Sequence, residues 1–166
     1  MNAIVVVDQN WAIGRDNGLL FSLPTDMRRF RSLTVGGTVI LGRKTLDSFP
    51  GGKPLPKRRN IVITRNASFQ RESAEAAATP DAALEAAASG AETDAIWVIG
   101  GASVYTALLE RCKRVYLTKV DAAAENPDAF FPNLDKLPGW AVEHVSDPVE
   151  ENGYTYRFVD YVNQAL

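Results

Sequence analysis

The sequence has very few of the residues on which covalent and metal chemistry depend. Its 166 residues include one cysteine, Cys112, and one histidine, His144. A lone cysteine excludes a disulfide framework and a cysteine metal site, and it is typical of a protein from a reducing cytoplasm. We expect Cys112 to be a small apolar filler and His144 to lie on a surface strand. Nucleophilic catalysis through histidine and metal binding therefore have little support.

Long apolar runs and a strong net charge are also missing. No run approaches the ~20 residues that cross a bilayer, and the N-terminus MNAIVVVD has no basic segment of the kind that opens a signal peptide. Hydrophobic residues make up 46% and charged residues 23% of the chain. These values predict a single soluble domain over residues 1–166, cytoplasmic and monomeric by default.

Basic residues are unevenly distributed although the net charge is only −2. The stretch from Arg43 to Arg71 holds eight lysines and arginines and one acid, Asp47. Such a block predicts contact with a polyanionic small molecule, the alternative being a merely solvated face. No zinc-finger, RNA-recognition or helix-turn-helix pattern accompanies it, so a nucleic-acid partner is not expected.

Apolar runs and Gly/Pro breaks predict an α/β fold. Strands are expected at 3–7, 38–41, 60–64, 95–99 and 114–120, weakly near 74–77, and in a closing antiparallel hairpin at 140–145 and 154–162. Short helices are expected after Pro24, over 43–49, from Pro80 to Gly90 and from Gly101 to Leu109, whereas 121–139 is expected to be irregular. The alternation predicts one domain with a mixed, mostly parallel sheet of about eight strands flanked by short helices.

The helix that begins at Pro24 carries a carboxylate at an apolar position. Stepping about 100° per residue from Asp26 places Phe30 about 40° to one side and Leu33 about 20° to the other. An ionised carboxylate within an apolar stripe is costly unless it is paired, and desolvation raises its proton affinity. Such a group suits acid–base work on a heterocycle, although a plain first-turn capping role is the alternative.

The long loop 8–23 precedes this helix and has the features of a lid. Gly14 and Gly18 allow it unusual backbone conformations. Its apolar residues Leu19, Leu20 and Phe21 are expected to cover something.

Two strand-to-helix junctions predict anion binding. Gly42-Arg43-Lys44-Thr45 and Gly100-Gly101-Ala102-Ser103 each place small residues where free N–H groups open a helix. Neither is the G-x-G-x-x-G fingerprint of the standard Rossmann fold. Two junctions on one sheet could hold the two phosphates of a dinucleotide. Lys44 with Thr64 and Arg65 favours an additional 2′-phosphate, hence NADP(H).

The ordered set of motifs resembles the bacterial dihydrofolate reductases over nearly the whole chain. The residues that carry the resemblance are Ile13-Gly14, Leu23-Pro24-x-Asp26, Phe30, Gly42-Arg43-x-Thr45, Pro54-Leu55-Pro56, Arg58-x-Asn60, Ile99-Gly100-Gly101, Val104-Tyr105 and Leu117-Thr118. The resemblance implies the reductase fold and reduction of 7,8-dihydrofolate, with hydride passing from NADPH to carbon 6 of the pterin. It also implies a cis peptide bond between Gly100 and Gly101.

The resemblance assigns roles to individual residues. Asp26 would promote protonation of the pterin with hydroxyl support from Thr118, and Phe21 and Leu19 complete the catalytic set. The folate pocket would comprise Ile4, Val5, Met27, Phe30, Phe49, Leu55 and Ile99, with Arg58 pairing with the glutamate α-carboxylate. The cofactor site would comprise Val6, Ile13, Gly14, Gly18, Leu19, Gly42, Arg43, Lys44, Thr45, Thr64, Arg65, Ile99, Gly100, Gly101, Ala102, Ser103, Val104 and Tyr105.

Some positions depart from the family pattern. Leu20-Phe21 stands where many members have Pro-Trp, and Phe21 has no N–H with which to hold a water near the substrate. Val5 and Val6 replace frequent alanines and would narrow the pocket. Two alternatives are a pyrimidine reductase of riboflavin synthesis, which usually lacks the buried aspartate, and a nucleotide-binding module without catalysis.

Overall fold

One large mixed sheet runs through the molecule, and a computed structural model describes it together with the rest of residues 1–166. Its strands are β1 (Asn2–Val7), β3 (Thr38–Gly42), β4 (Arg59–Ile63), β5 (Ala74–Ala77), β6 (Ile96–Gly100), β7 (Arg114–Val120), β9 (Trp140–Val145), β10 (Val149–Glu151) and β11 (Tyr154–Asn163). The order across the sheet is β10-β11-β7-β1-β6-β3-β4-β5, and β9 also pairs with β11.

The six strands from β7 to β5 are parallel to their neighbours, whereas β11 runs antiparallel to β7, β9 and β10. Strands buried on both faces are read as continuous apolar runs, which is the pattern seen at 39–41 and 61–62. The predicted mostly parallel sheet with an antiparallel hairpin at one edge is confirmed.

Four helices cover the two faces of the sheet: α1 (Pro24–Thr34), α2 (Arg43–Ser48), α3 (Pro80–Ala88) and α4 (Ala102–Leu108). Proline lies in the first turn of α1 and α3, where its missing N–H costs nothing. Thr79 caps α3 by accepting a 3.1 Å hydrogen bond from the Ala82 N–H. Single 3₁₀ turns occupy Pro50–Gly52, Thr93–Ala95 and Leu109–Arg111.

Two apolar layers separate these helices from the sheet. The larger layer packs α3 and α4, through residues such as Ala83 and Leu108, against Val98 and Leu117. The smaller layer joins Leu46 of α2 and Phe30 of α1 to the opposite face of the sheet. Alternate residues of one strand therefore serve different layers, and α1 lies on the face opposite α3 and α4.

The connection between β1 and α1 contains structure that sequence periodicity does not predict. Residues Ala12–Gly14 form β2, which pairs with β8 (Ala129–Phe130) inside the stretch expected to be irregular. Asp8 is fully buried and organises this corner. Its Oδ1 accepts hydrogen bonds from the Asn10 and Ala12 N–H groups, and its Oδ2 accepts one from Ala124. Asp8 is a second buried carboxylate, in addition to Asp26, and it was not predicted because nothing in the local sequence pattern marks it.

The single cysteine is buried and the single histidine is exposed. Cys112 is completely buried, and burial raises the pKa of its thiol to about 12, so it is the apolar filler that we predicted. His144 is exposed on β9.

No helix combines the length and apolar character needed to span a bilayer. No cluster of three His, Cys, Asp or Glu side chains could hold a metal ion.

Candidate active site

Asp26 lies in the first turn of α1 with only 8% of its surface exposed. Its Oδ1 accepts a 2.5 Å hydrogen bond from the Thr118 hydroxyl, while its Oδ2 makes no hydrogen bond within the protein. Burial raises the pKa of this carboxyl; the Thr118 hydrogen bond and the charge of Arg29 oppose that rise, and Glu151 adds to it. A desolvated carboxyl with one oxygen held and one free can exchange a proton with a bound molecule.

The sheet register explains how Thr118 reaches Asp26. Thr118 lies beside Val6 on β1 and beside Phe158 on β11. Within β7 its side chain is buried on the face that α1 covers, two residues from Tyr116. Strand β7 thus presents the Thr118 hydroxyl at the place where α1 carries the Asp26 carboxylate.

Most of the predicted folate-pocket residues come together beside this carboxylate. Ile4, Phe30, Phe49, Leu55 and Ile99 all belong to the smaller apolar layer. Met27 does not, because its side chain is 50% exposed. Val5 packs into the larger layer, so its side chain lies on the opposite face and does not narrow the pocket as expected.

Arg58 is fixed at one end of this apolar group without an acidic partner. Its Nε donates to the Pro56 carbonyl at 2.9 Å and its Nη1 to the Thr34 hydroxyl at 3.1 Å, at the end of α1. Burial, followed by the charge of Arg31, lowers the pKa of the Arg58 guanidinium. Asn60 supports the loop by accepting from the Leu55 N–H and donating to the carbonyls of Leu55 and Arg58. Thr34 was not singled out from the sequence, since a threonine near the end of a helix carries no specific signal.

The two glycine junctions lie side by side at the carboxyl ends of β3 and β6. Leu41 is the register partner of Gly100, and a Cβ on Gly101 would lie 3.3 Å from the Thr45 hydroxyl. The N-cap residues of α2 and α4 are Gly42 and Gly101, and no side chain caps either helix there. Their first N–H groups are therefore free for an anion. The Gly100–Gly101 peptide bond is cis, as the resemblance implied.

Side chains around these junctions divide into free and engaged groups. Lys44 and Arg65 are exposed and form no ion pair, and Thr64 lies between β4 and Arg65. Arg43 instead contacts Asp47 at 3.7 Å and the ring of Phe69. Ala102 is half-buried and Ser103 exposed at the start of α4.

Val104 and Tyr105 contribute their side chains to the core rather than to an open site. Val104 is buried in the larger layer. The Tyr105 ring packs against Phe131, and its hydroxyl donates a 2.6 Å hydrogen bond to the Ile4 carbonyl. Gly100 has φ +125°, a backbone conformation that residues with a side chain rarely adopt, so glycine is favoured there; the Tyr105 ring itself leaves room for ordinary contact at 3.4 Å.

The basic block is less free than its composition suggests. Arg59 forms a two-point ion pair with Glu75, and Arg71 contacts Asp47 at 3.4 Å. Both arginines line a groove of about 1170 Å³ at the amino ends of the strands, with Lys53 and Lys57. Because this groove lies at the edge opposite the glycine junctions, the block is not a single anion site.

The loop 8–23 is tied down at several points. Its tip is a tight turn in which Asp16 and Asn17 have positive φ and the N–H and C=O groups of Arg15 and Gly18 bond to each other. The Asp16 N–H donates to Asp128 at 2.9 Å, and the Asn17 amide donates to the Lys44 carbonyl at 2.8 Å. The loop thus reaches the start of α2.

The apolar residues of the loop behave differently from one another. Ile13 packs against the larger layer, and Gly14 is buried beside Ala129. Phe21 packs edge-on to Tyr154, with ring centroids 4.9 Å apart. Leu19 is 76% exposed and covers nothing, contrary to expectation.

Comparisons with known proteins agree with this arrangement. The sequence model described as dihydrofolate reductase matches residues 1–163. The chain is 37% identical to the type 3 dihydrofolate reductase of Salmonella typhimurium, with 99% of this chain and 98% of that protein covered. It is 41% identical to the dihydrofolate reductase of Mycobacterium leprae, with 95% and 98% covered.

The fold gives the same answer. The structure of the Enterococcus faecalis dihydrofolate reductase complexed with NADP(H) and RAB-propyl superposes with a TM-score of 0.83 at 30% identity, covering 97% of this chain and 94% of that one. Sequence and fold lead to one conclusion: this chain belongs to the dihydrofolate reductase family.

Proposed function

We propose that Asp26 promotes protonation of the pterin in the reaction of this enzyme, the NADPH-dependent reduction of 7,8-dihydrofolate to 5,6,7,8-tetrahydrofolate. The observation that carries the proposal is the buried carboxyl with Oδ1 held by Thr118 and Oδ2 free. Family membership sets aside the riboflavin-pathway reductase and the non-catalytic module.

The overall reaction adds one hydride and one proton to the substrate. When bound, NADPH supplies the hydride, which goes to carbon 6 of the pterin. Asp26 accepts a hydrogen bond from the amino-pyrimidine edge and stabilises the proton on the neighbouring ring nitrogen. Thr118 orients the carboxyl. Phe21 and Leu19 have no side-chain donor, so neither side chain gives a proton to the substrate.

The apolar group beside Asp26 is suited to the flat pterin and the ring that follows it. Ile4, Phe30, Phe49, Leu55 and Ile99 supply the apolar walls, and Met27 and the Val5 backbone border them. Arg58 pairs with the α-carboxylate of the glutamate tail. Its lack of an acidic partner within the protein supports this role, because the guanidinium has a donor to spare.

The glycine junctions fit a dinucleotide phosphate with an extra 2′-phosphate. The free N–H groups at Gly42–Thr45 and Gly101–Ser103 take the bridging phosphates, and Lys44, Thr64 and Arg65 take the 2′-phosphate. The backbone at Val6, Ile13, Gly14, Gly18, Ile99 and Gly100 borders the nicotinamide. Arg43, Val104 and Tyr105 shape this site from behind, since their side chains are engaged elsewhere.

We also propose that residues 1–166 act as one cytoplasmic domain, monomeric and without a nucleic-acid partner. One sheet extends from Asn2 to Asn163, which supports a single folding unit. The free, buried thiol of Cys112 supports the cytoplasmic location. The ion pairs of Arg59 with Glu75 and of Arg71 with Asp47 support the absence of a nucleic-acid partner. Sedimentation at micromolar concentration should give a species of 18.1 kDa.

The deciding experiment compares the parent enzyme with Asp26→Asn across pH. The variant should fold, bind NADPH and reduce dihydrofolate very slowly at neutral pH. Asparagine keeps the size of the side chain but cannot stabilise a protonated pterin. The defect should shrink at low pH, where solvent supplies protonated substrate. Near-parental turnover at neutral pH would instead leave Asp26 with a structural role alone, through its hydrogen bond with Thr118.

A further inference from the structure

Glu151 lies at the N-terminus of α1 although it belongs to β10, 126 residues away in sequence. Its Oε1 accepts a 2.9 Å hydrogen bond from the Thr25 N–H, and its Oε2 accepts a 2.5 Å hydrogen bond from the Thr25 hydroxyl. The buried Tyr156 donates from its hydroxyl to Oε1 at 3.0 Å. Both carboxylate oxygens are therefore committed to holding one residue next to Asp26.

The helix needs this contact because it has no cap of its own. Leu23 stands at the N-cap position and offers no side-chain acceptor, and Pro24 has no N–H. The Thr25 N–H is thus the first N–H of α1 without a partner inside the helix. A carboxylate at this point is also favoured by the helix dipole. The adjoining Asn152 donates to the Ser22 carbonyl at 2.9 Å, which ties the same hairpin to the chain before the helix.

We propose that Glu151 is a positioning residue for Asp26. It holds Thr25 and so fixes the first turn of α1, and its carboxylate places a second negative charge near the Asp26 carboxyl. This inference rests on the proposed role of Asp26. A nearby negative charge stabilises the protonated form of a carboxyl or of a carboxyl–pterin pair. Glu151 therefore extends the working range of the enzyme toward higher pH.

The other charged and polar groups around Asp26 give this charge its context. Burial is the main reason that the pKa of Asp26 is raised. The Thr118 hydroxyl on β7 and Arg29 on the same helix lower this pKa, and Glu151 raises it further. Burial raises the pKa of Tyr156 on β11 to about 12, and the Glu151 and Asp26 carboxylates both contribute to this rise. The hydrogen bonds from Thr25 lower the pKa of Glu151 itself, with a smaller contribution from Arg28, so Glu151 is ionised at neutral pH.

The test compares Glu151→Gln with Glu150→Gln. Glutamine at 151 retains an acceptor for the Thr25 N–H but loses the charge. Glu150 is the exposed neighbour on the same strand and serves as the matched control. Carboxyl-carbon NMR of the free enzyme follows the titration of Asp26 directly, and steady-state turnover is measured over the same pH range.

In Glu151→Gln, Asp26 should titrate at lower pH than in the parent, and the fall of turnover with rising pH should begin earlier. Above its midpoint turnover should drop by about two- to fivefold, with no loss well below it. Glu150→Gln should match the parent in both measurements. Thr25→Val, which removes one hydrogen bond and keeps the charge of Glu151, should not lower the titration of Asp26.

Unchanged Asp26 titration in Glu151→Gln would overturn the inference. A titration that moves while the turnover profile stays fixed would support Glu151 but reject the catalytic role of Asp26. Equal shifts in Glu151→Gln and Glu150→Gln would mean that only the net charge of the hairpin matters, which also overturns the inference.

Discussion

The Thr118 hydroxyl donates a 2.5 Å hydrogen bond to Asp26 Oδ1 and so joins the centre of the sheet to α1. Both groups are buried, so Thr118→Val should leave a carboxylate short of a partner and cost about 1–3 kcal/mol at neutral pH. Because this hydrogen bond lowers the pKa of Asp26, its loss should raise that pKa. Denaturant unfolding and the pH profile of turnover measure the two effects. Thr118→Ser, which keeps a hydroxyl, should restore most of both.

Asp26 should also lower the stability of the protein that carries it. Its pKa is raised in the folded state, so folding favours the protonated form. The contribution of this group is greatest below the unfolded-state pKa and is lost as the pH rises through the folded-state pKa. Asp26→Asn should therefore unfold at higher denaturant concentration than the parent at pH 8, with the difference vanishing near pH 3. A variant that is less stable at pH 8 would contradict this expectation.

Arg29 and Glu151 have opposite effects on the pKa of Asp26. Its guanidinium lies 4.2 Å from the centre of the Phe158 ring and 3.4 Å from Asp160, and its charge lowers the pKa of Asp26. Arg29→Met should move the fall of turnover to higher pH, in the direction opposite to Glu151→Gln. Arg29→Lys keeps the charge and should lie between Arg29→Met and the parent. A shift to lower pH in Arg29→Met would show that packing against Phe158, and not charge, is what matters.

Cofactor preference should depend on Arg65. Arg65→Glu places a like charge where the 2′-phosphate is proposed to bind, so it should weaken NADPH far more than NADH. Fluorescence titration with each cofactor measures the two dissociation constants, and hence the ratio of the affinity for NADPH to that for NADH. Arg157→Glu, an exposed arginine on β11, is the charge-matched control and should leave the ratio unchanged. Equal losses for both cofactors in Arg65→Glu would remove Arg65 from the phosphate site.

Arg58 should matter only for substrates that carry the glutamate tail. Arg58→Leu should raise KM for dihydrofolate by an amount equivalent to about 2–5 kcal/mol if the ion pair is desolvated. A dihydropterin without the tail should be reduced equally well by the variant and the parent. If the tailless substrate suffers as much, the bonds from Arg58 to Pro56 and Thr34 serve the fold alone.

Sequence reasoning was most accurate where local chemistry decides the structure. Apolar runs predicted five of the six parallel strands, and the sixth, at 74–77, was expected only weakly. The Thr79-Pro80 pair predicted α3 to within two residues of its end. Asp26 could be found because a carboxylate within an apolar helical stripe violates the expected pattern. In each case the signal lies within about ten residues.

The remainder depends on partners distant in sequence. The β2–β8 pairing involves segments of two and three residues, too short for any period to be visible. Val5 lies in an unbroken apolar run, which does not reveal the face to which each side chain points. Glu151 looks like any charged residue beside a turn until the fold brings it to Thr25. Leu19 shows that an apolar residue on a loop need not be covered.

The central position of β1 has a consequence for how the chain is made. Its two neighbours are β6 and β7, which end at Gly100 and Val120. During synthesis the first strand therefore remains without either partner until more than half of the polypeptide has been completed. In that interval an apolar segment with one isoleucine and three consecutive valines is open to pairing with other nascent chains. Rapid capture by a chaperone, or slow translation across the later strands, would directly affect the yield of active enzyme.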